Sequence, residues 1–367
     1  MLIETKTVKF EQPLYLDSGR ILEPFELAYE TYGVLNEAKS NAILIFHAFS
    51  GSQHAAGRYE EDAKPGWWDA LIGNKKAIDT TKFFVMCVNT IGSCYGSTGP
   101  LSEDPKRAGK EYRLRFPVIT VRDMVRAQYM LLKKLGIKKL HAAIGGSMGG
   151  MQALSFAVEY PDMANIVVPL AATHAVSPWV IAINKAASAA LLADPAFNNG
   201  NYDSETIKDI GLAGLSAARM MGFLGYISPQ GMAKKFGRRY SNNEGLFELF
   251  GRFEVERYLD YNGVNFPKYF DPLSFLYLLK TLNIFDVSYG YDSLSAALAR
   301  VKSKMWFLTF RGDTLFLPEE LRVVYDTMVA IGKKDVHFIN IDSDYGHDAF
   351  LVEIDKFDSL IADILDE

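Results

Sequence analysis

The sequence predicts an α/β protein: a mostly parallel sheet flanked by helices, with an all-helical cap or lid inserted late in the chain. Three observations predict it. Short all-apolar runs recur between stretches of helical spacing, as expected of strands buried on both faces of a parallel sheet. Several of these runs lead into loops of glycine and small polar residues. From about residue 177 to 292 the short runs vanish, and Ala, Leu, Met, Phe and Tyr recur at helical spacing instead. The division that follows is a core made of residues 1–176 and 293–367, with 177–292 as the helical cap.

Residues 1–40 read as short, antiparallel strands, with turn signals at Asp17-Ser18-Gly19 and Leu35-Asn36. Ile43-Leu44-Ile45-Phe46 is the first buried strand and runs into the small, polar loop His47 to Ser52. Phe83 to Val88 is the second and leads into Gly92 to Pro100. A helix then starts behind Thr120, a good N-cap. Val121, Met124, Val125, Gln128, Leu132 and Leu135 follow helical spacing, and Gly136 ends it. Leu140–Ile144 is a strand, and the helix after Ser147 ends near Tyr160-Pro161. Ile166–Leu170 is the last strand before the cap. Beyond the cap come a strand at Met305–Phe310, a helix from Pro318 to Ile331, a strand at Val336–Ile341 and a final helix after Ala349.

Composition excludes several classes of function. The 367 residues are 49% hydrophobic and 23% charged, the balance of an ordinary globular chain with a large core. A net charge of −5 argues against a general nucleic-acid binder. Cys87 and Cys94 are too few for a disulfide framework. No run of about 18 apolar residues could span a membrane, and the first residues lack the apolar core of a signal peptide. A cytoplasmic location and no membrane partner are expected. The histidines have no metal-like spacing with acids or cysteines, so no metal is expected.

Gly145-Gly146-Ser147-Met148-Gly149 has the Gly-x-Ser-x-Gly form of a nucleophile elbow. Such a turn holds its serine in a strained conformation between strand and helix. Glycines two positions away give the backbones room to close together. The motif alone is also compatible with a plain tight turn, so the rest of the chain must supply a base and an acid. A serine hydroxyl is a poor nucleophile at neutral pH and needs a general base. In the α/β-hydrolase fold the order is serine, acid, histidine. Asp313 lies just beyond the 305–310 strand and His347 just beyond the 336–341 strand, so both would share the sheet edge of Ser147. Asp344 and Asp348 rival Asp313 by proximity to His347, but sequence neighbours would have difficulty facing its ring nitrogen. His141 and His337 sit within strands and read as structural, and His47, His54 and His174 as loop residues. The oxyanion donors would be the N–H of Met148 and that of Phe49 or a neighbour. The alternative for His47 to Ser52 is an ordinary solvated loop.

The elbow, extended through Gly150-Met151-Gln152-Ala153-Leu154, resembles that of the homoserine O-acetyltransferases, acyltransferases of the α/β-hydrolase superfamily. Other segments resemble the same family, in its order. They include Ser52 to Gly57, Gly66-Trp67-Trp68-Asp69, Gly96 to Pro100, Ala218-Arg219-Met220, Lys235 to Arg238, Phe253 to Leu259 and Gly346 to Leu351. The resemblance implies the α/β-hydrolase fold. It also implies ping-pong transfer of an acetyl group from acetyl-CoA to the hydroxyl of L-homoserine, in methionine biosynthesis. It implies that Arg219 pairs with the homoserine carboxylate, that Asp348 holds the α-amino group and that Tyr226 lines the site. No permanently bound cofactor is implied; acetyl-CoA is a co-substrate, and a homodimer through the helical cap is expected. Two segments depart from the family pattern. His47-Ala48-Phe49-Ser50-Gly51 stands for the usual His-Ala-Leu-Thr-Gly, and Gly312 to Pro318 carries one extra residue before the proline.

CoA is anionic, and Lys234-Lys235-Phe236-Gly237-Arg238-Arg239 could bind it, or could be a solvated helix face. The alternatives are a succinyl donor, a serine acceptor, an esterase or thioesterase using water, and a non-catalytic binding protein on the same fold. An Arg219–Asp348 clamp for a zwitterion separates transfer to an amino acid from simple ester hydrolysis.

Overall fold

The apolar runs become an eight-stranded sheet in the computed structural model, which describes residues 1–241 and 246–367. The strands are β1 (Lys6–Phe10), β2 (Phe25–Tyr32), β3 (Ala42–Phe46), β4 (Phe84–Val88), β5 (Leu140–Gly146), β6 (Ala164–Leu170), β7 (Lys304–Phe310) and β8 (Val336–Ile341). Their spatial order is β1-β2-β4-β3-β5-β6-β7-β8. β2 pairs antiparallel with both β1 and β4, and every other neighbouring pair is parallel. The α/β fold with its mostly parallel sheet is therefore present.

Alternation along each strand sends apolar side chains to both faces. Leu44 and Phe46 of β3 join Ala143, Val167, Met305 and Phe307 in one core. Ile43 and Ile45 join Ala142, Ile144, Val168, Leu308 and Phe310 in the other. The four apolar side chains Ile43 to Phe46 are all 0% exposed, each contributing about 1.5–3 kcal/mol relative to exposure.

Helices α1 (Val121–Lys134) and α2 (Met148–Glu159) cover the first face. Thr120 caps α1 reciprocally: its Oγ1 accepts the Asp123 N–H at 3.1 Å, and Asp123 Oδ2 accepts the Thr120 N–H at 2.9 Å. Gly136, at φ 71°, ends the helix as its position suggests. In the N-terminal segment, Leu14–Tyr15 pairs antiparallel with Ile21–Leu22 around the Asp17–Gly19 turn.

Between β6 and β7 the described residues form helices and isolated bridges only. The helices are α3 (Pro178–Leu192), α4 (Ser204–Ile210), α5 (Ala213–Tyr226), α6 (Pro229–Phe236), α7 (Glu254–Asn265), α8 (Pro272–Asn283) and α9 (Leu294–Ala299). Then α10 (Pro318–Ala330) joins β7 to β8. The single final helix expected after Ala349 is not formed. The chain makes α11 (Ala349–Val352), a 3-10 turn at Ile354–Lys356 and then α12 (Asp358–Leu365). Glu353, at φ −112° and ψ 49°, breaks the helix. The turn lets Phe357 bury completely, edge-on to Phe310 at 5.7 Å. Among the described residues no helix is long and apolar enough to cross a membrane.

Parallel pairing places the carboxyl ends of β3, β4, β5, β6, β7 and β8 along one edge of the sheet. Ser147, Asp313 and His347 lie just beyond the carboxyl ends of β5, β7 and β8, at that edge.

Candidate active site

Ser147 leaves β5 at φ 60° and ψ −126°, outside the conformations a serine ordinarily adopts. The strain is held from both sides. Its N–H donates to Leu170 O at 2.9 Å, and its C=O accepts the Met151 N–H at 3.1 Å. A Cβ on Gly145 would strike the Gly149 carbonyl, and one on Gly149 would strike the Phe46 carbonyl. Strand and helix therefore approach as closely as the glycine spacing suggests.

The sharp turn brings Ser147 Oγ within 2.8 Å of His347 Nε2. His347 Nδ1 lies 2.8 Å from Asp313 Oδ2. The other carboxylate oxygen, Oδ1, accepts the N–H groups of Leu315 (2.9 Å) and Phe316 (3.0 Å). Those bonds fix Asp313 with Oδ2 aimed at the imidazole. Ser147, His347 and Asp313 are 7%, 2% and 2% exposed, so water barely reaches them. Asp344, a rival acid, is exposed and pairs with Arg311 at 2.7 Å instead. Burial lowers the His347 pKa, but the Asp313 charge and hydrogen bond, with the charge of Asp348, outweigh it and leave the pKa above its usual 6.5. This arrangement can take a proton from Ser147 and stabilise the imidazolium that results.

The N–H groups of Met148 and Phe49 find no acceptor among the described residues. Each follows a turn at the sheet edge, and both are free for an oxyanion.

Arg219 and Tyr226 both project from α5, seven residues or two turns apart, and so on one face. The Arg219 guanidinium lies over Phe266 (4.5 Å), Phe223 (4.8 Å) and Tyr226 (5.2 Å). Its Nη1 reaches Ser50 Oγ at 3.5 Å, and its buried Nε has no acceptor among the described residues. An unpaired buried donor costs about 1–3 kcal/mol, so the site is suited to an acceptor brought by a ligand. The Tyr226 ring lies 6.4 Å from the His347 ring. The Asp348 carboxylate accepts no hydrogen bond among the described residues. Burial raises its pKa, against the opposing charges of His347 and Arg219. No ion pair joins Arg219 to Asp348, yet the Arg219 charge acts on the Asp348 carboxyl.

Sequence reasoning missed the contacts between the α5–α6 junction and the histidine loop. Ser228, 0% exposed, donates its N–H to Tyr345 O at 2.8 Å and its hydroxyl to Asp344 O. The Asp348 N–H donates to Tyr226 O at 2.9 Å. Gly346, at φ 116°, is needed there because a Cβ would strike the Ser228 nitrogen. Tyr258 was also missed as an individual residue; its hydroxyl feels the charges of Asp348 and Arg219. The solvated-loop alternative for His47 to Ser52 does not hold for His47, which is 0% exposed. The remaining histidines have structural partners. His54 meets Glu30 at 3.0 Å, His141 the Leu365 carbonyl at 2.8 Å and His174 the Glu320 carbonyl at 3.2 Å; His337 stacks on Trp306 at 3.9 Å. Among the described residues no cluster of three or more His, Cys, Asp or Glu could hold a metal.

Known proteins share this architecture. A family profile described as alpha/beta hydrolase fold matches residues 41–353. A homoserine O-acetyltransferase of Nautilia profundicola is 58% identical over 365 residues, 100% of this chain and 99% of that protein. The crystal structure of a homoserine O-acetyltransferase from Bacillus anthracis superposes with a TM-score of 0.92 at 30% identity, covering 100% of this chain and 98% of that one. A solved esterase superposes with a TM-score of 0.89, also at 30% identity, covering 99% of this chain and 100% of its own.

Proposed function

This chain belongs to the homoserine O-acetyltransferase family of the α/β-hydrolase fold, and we propose that it carries an acetyl group from acetyl-CoA to the hydroxyl of L-homoserine through an acetyl-Ser147 intermediate, in methionine biosynthesis. The observation that carries this reading is the hydrogen-bonded chain Ser147–His347–Asp313 beside two unengaged N–H groups. Ser147 Oγ attacks the thioester carbonyl while His347 takes its proton. The tetrahedral oxygen settles on the N–H groups of Met148 and Phe49. Collapse breaks the C–S bond, and His347 returns the proton to the departing CoA sulfur. Homoserine then enters, His347 takes its hydroxyl proton, and the alkoxide attacks the acetyl carbonyl. The second collapse frees Ser147, which recovers the proton from His347.

Residues 177–292 act as the cap that keeps water from the acyl-enzyme, which is what separates transfer from hydrolysis. Arg219 holds the homoserine carboxylate with its planar donor fork, Asp348 the α-amino group, and Tyr226 lines the space between. Lys234 and Lys235 line a cavity of about 340 Å³ shared with Arg311, Asp342, Asp344 and Lys356. Arg311 is taken by Asp342 and Asp344, Lys356 by Glu353, and Lys235 lies over the Tyr258 ring at 4.2 Å, so Lys234 is the cation of this cavity most open to the phosphates of CoA. A homodimer through the cap belongs to the same reading. Phe247, Leu249 and Phe250 are 88–98% exposed, and a second copy of the chain would cover them.

The testing experiment is release of free CoA thiol from acetyl-CoA with and without L-homoserine, run in parallel with succinyl-CoA and with L-serine. Acetyl-CoA alone is expected to release at most one equivalent of thiol per site, as acetyl-Ser147 forms, and continued release is expected to require homoserine and to prefer acetyl-CoA. Preference for succinyl-CoA or serine would move the substrate and keep the chemistry. Release that continues beyond one equivalent per site without an acceptor would favour the second reading, an esterase-like hydrolase, for which the similarity to the solved esterase speaks. The Arg219–Asp348 pair favours the amino-acid acceptor, because ester hydrolysis has no use for a zwitterion clamp. Arg219→Ala is accordingly expected to raise the homoserine KM about 10- to 100-fold, from about 1.5–3 kcal/mol of charge-assisted hydrogen bonding, with the acetyl-CoA KM little changed. Steady-state kinetics in both substrates checks this, and an unchanged homoserine KM would remove Arg219 from its role.

A further inference from the structure

The acyl-transfer reading uses the Phe49 N–H but leaves unexplained what aims it. An N–H and the C=O of the same peptide unit lie in one rigid plane and point in opposite directions. The Phe49 N–H is therefore aimed by whatever holds the Ala48 carbonyl. Two donors do so. His47 Nδ1 lies 2.8 Å from Ala48 O, and the Gly51 N–H donates to the same oxygen at 2.9 Å. The far side of the imidazole is anchored as well. His47 Nε2 accepts the Thr90 N–H at 3.0 Å and lies 3.3 Å from Asn89 Nδ2, both on the loop after β4. Because a backbone N–H can only donate, Nε2 must be the acceptor, so the ring proton sits on Nδ1.

A second side chain ties this loop to the elbow. Gln152, on α2 and 0% exposed, donates its Nε2 to His47 O at 3.3 Å and to Met148 O at 3.4 Å. Its Oε1 accepts from Gln128 Nε2 of α1 at 2.9 Å, which fixes the amide with its nitrogen toward the two carbonyls. The two segments that carry the oxyanion donors are thus joined through one buried amide.

We propose that His47 and Gln152 are positioning residues for the oxyanion hole: His47 aims the Phe49 N–H, and Gln152 holds it at a fixed spacing from the Met148 N–H. The inference rests on the acyl-enzyme reading above. Neither side chain touches the reacting atoms. Burial holds the His47 imidazole down to about 4, against a smaller opposing effect of the Ala48 carbonyl, so the neutral tautomer persists across the working pH range.

The test is the infrared carbonyl band of acetyl-Ser147, formed from isotope-labelled acetyl-CoA in the absence of homoserine, in the wild type, His47→Phe and Gln152→Met. Hydrogen bonds from two well-aimed donors polarise that carbonyl and lower its frequency. Both variants are expected to move the band up. The acylation rate should fall about tenfold, less than the roughly 10²-fold or more typical of deleting a donor outright. The KM values for acetyl-CoA and homoserine should stay near wild type. A purely structural role would lower stability and leave the band in place. If His47→Phe fails to fold, Gln152→Met carries the test, because the methionine replaces the amide at similar volume. An unchanged band in a folded variant would overturn the proposal, and so would failure of both variants to fold, which would assign the pair to core packing. Absence of acetyl-Ser147 in the wild type would instead overturn the acyl-enzyme reading, and this inference with it.

Discussion

Ser147→Ala is expected to bring CoA release and acetyl transfer down to background, a fall on the order of 10⁶-fold, in a protein that folds as the wild type does. The size of the loss follows from the site. Among the described residues the hydroxyl is the only hydrogen-bond partner of His347 Nε2, at 2.8 Å, and without it the base has no proton to take and the acetyl group no atom to bond. The intact fold follows from the backbone. The bonds that hold the strained turn run from the Ser147 N–H to Leu170 and from Met151 to the Ser147 carbonyl, and neither involves the side chain. Alanine keeps the Cβ, so the strain at φ 60° is unchanged. One buried hydrogen bond is lost, about 1 kcal/mol. Thiol release, protein mass after incubation with acetyl-CoA, and urea unfolding together check the prediction. Turnover near wild type, or an acetyl adduct on the variant, would place the nucleophile elsewhere.

The sheet was legible because buried parallel strands have a plain signature. Val336–Ile341 agrees with its expected bounds, and Leu140–Gly146 and Ala164–Leu170 differ only at the ends. The segment after Ala349 was not legible as three pieces, because what breaks it is the burial of Phe357 against Phe310, a contact across about fifty residues of chain. The same division runs through the site. Ser147, Asp313 and His347 could be found because strand ends in a parallel sheet share an edge, so linear order converts into proximity. Which aspartate serves His347 depends on backbone direction: Asp344 lies three residues from it and points to Arg311 instead. His47 escaped notice because a loop histidine looks solvated in sequence. Its burial is set by Thr90 and Asn89, more than forty residues on. Ser228 escaped for a similar reason, since its partners Asp344 and Tyr345 lie 116 and 117 residues away. The residues brought together as Ser147, His347 and Asp313 left a local pattern here. His47 and Ser228 left none, because their partners are remote.

Asp313→Asn isolates what the acid contributes. Asparagine has the same shape, and its orientation is decided by the two N–H groups of Leu315 and Phe316, which require an oxygen at the position of Oδ1. The amide nitrogen must then occupy the place of Oδ2 and face His347 Nδ1. Two N–H groups cannot face each other, so the imidazole shifts its proton to Nε2 and can no longer accept from Ser147. A fall of about 10⁴-fold in kcat is expected, with KM values near wild type. The pH profile should move too. In the wild type the Asp313 charge keeps the His347 pKa above 6.5 despite burial, so acyl transfer rises with pH through a value above 6.5 as the base becomes neutral. Removing that charge leaves burial as the leading influence, and the residual activity of the variant should reach its plateau at lower pH. Stability carries the same sign. A histidine whose folded pKa is raised stabilises the fold fully below its unfolded value and loses that contribution as pH rises through the folded value. The wild type should therefore lose a contribution from about pH 6.5 upward that the variant lacks. Urea unfolding of both proteins on either side of that range measures it. An acid limb that stays in place in Asp313→Asn would mean that another group sets the pKa of the base, and Asp348, whose charge also acts on His347, would be the next residue to change.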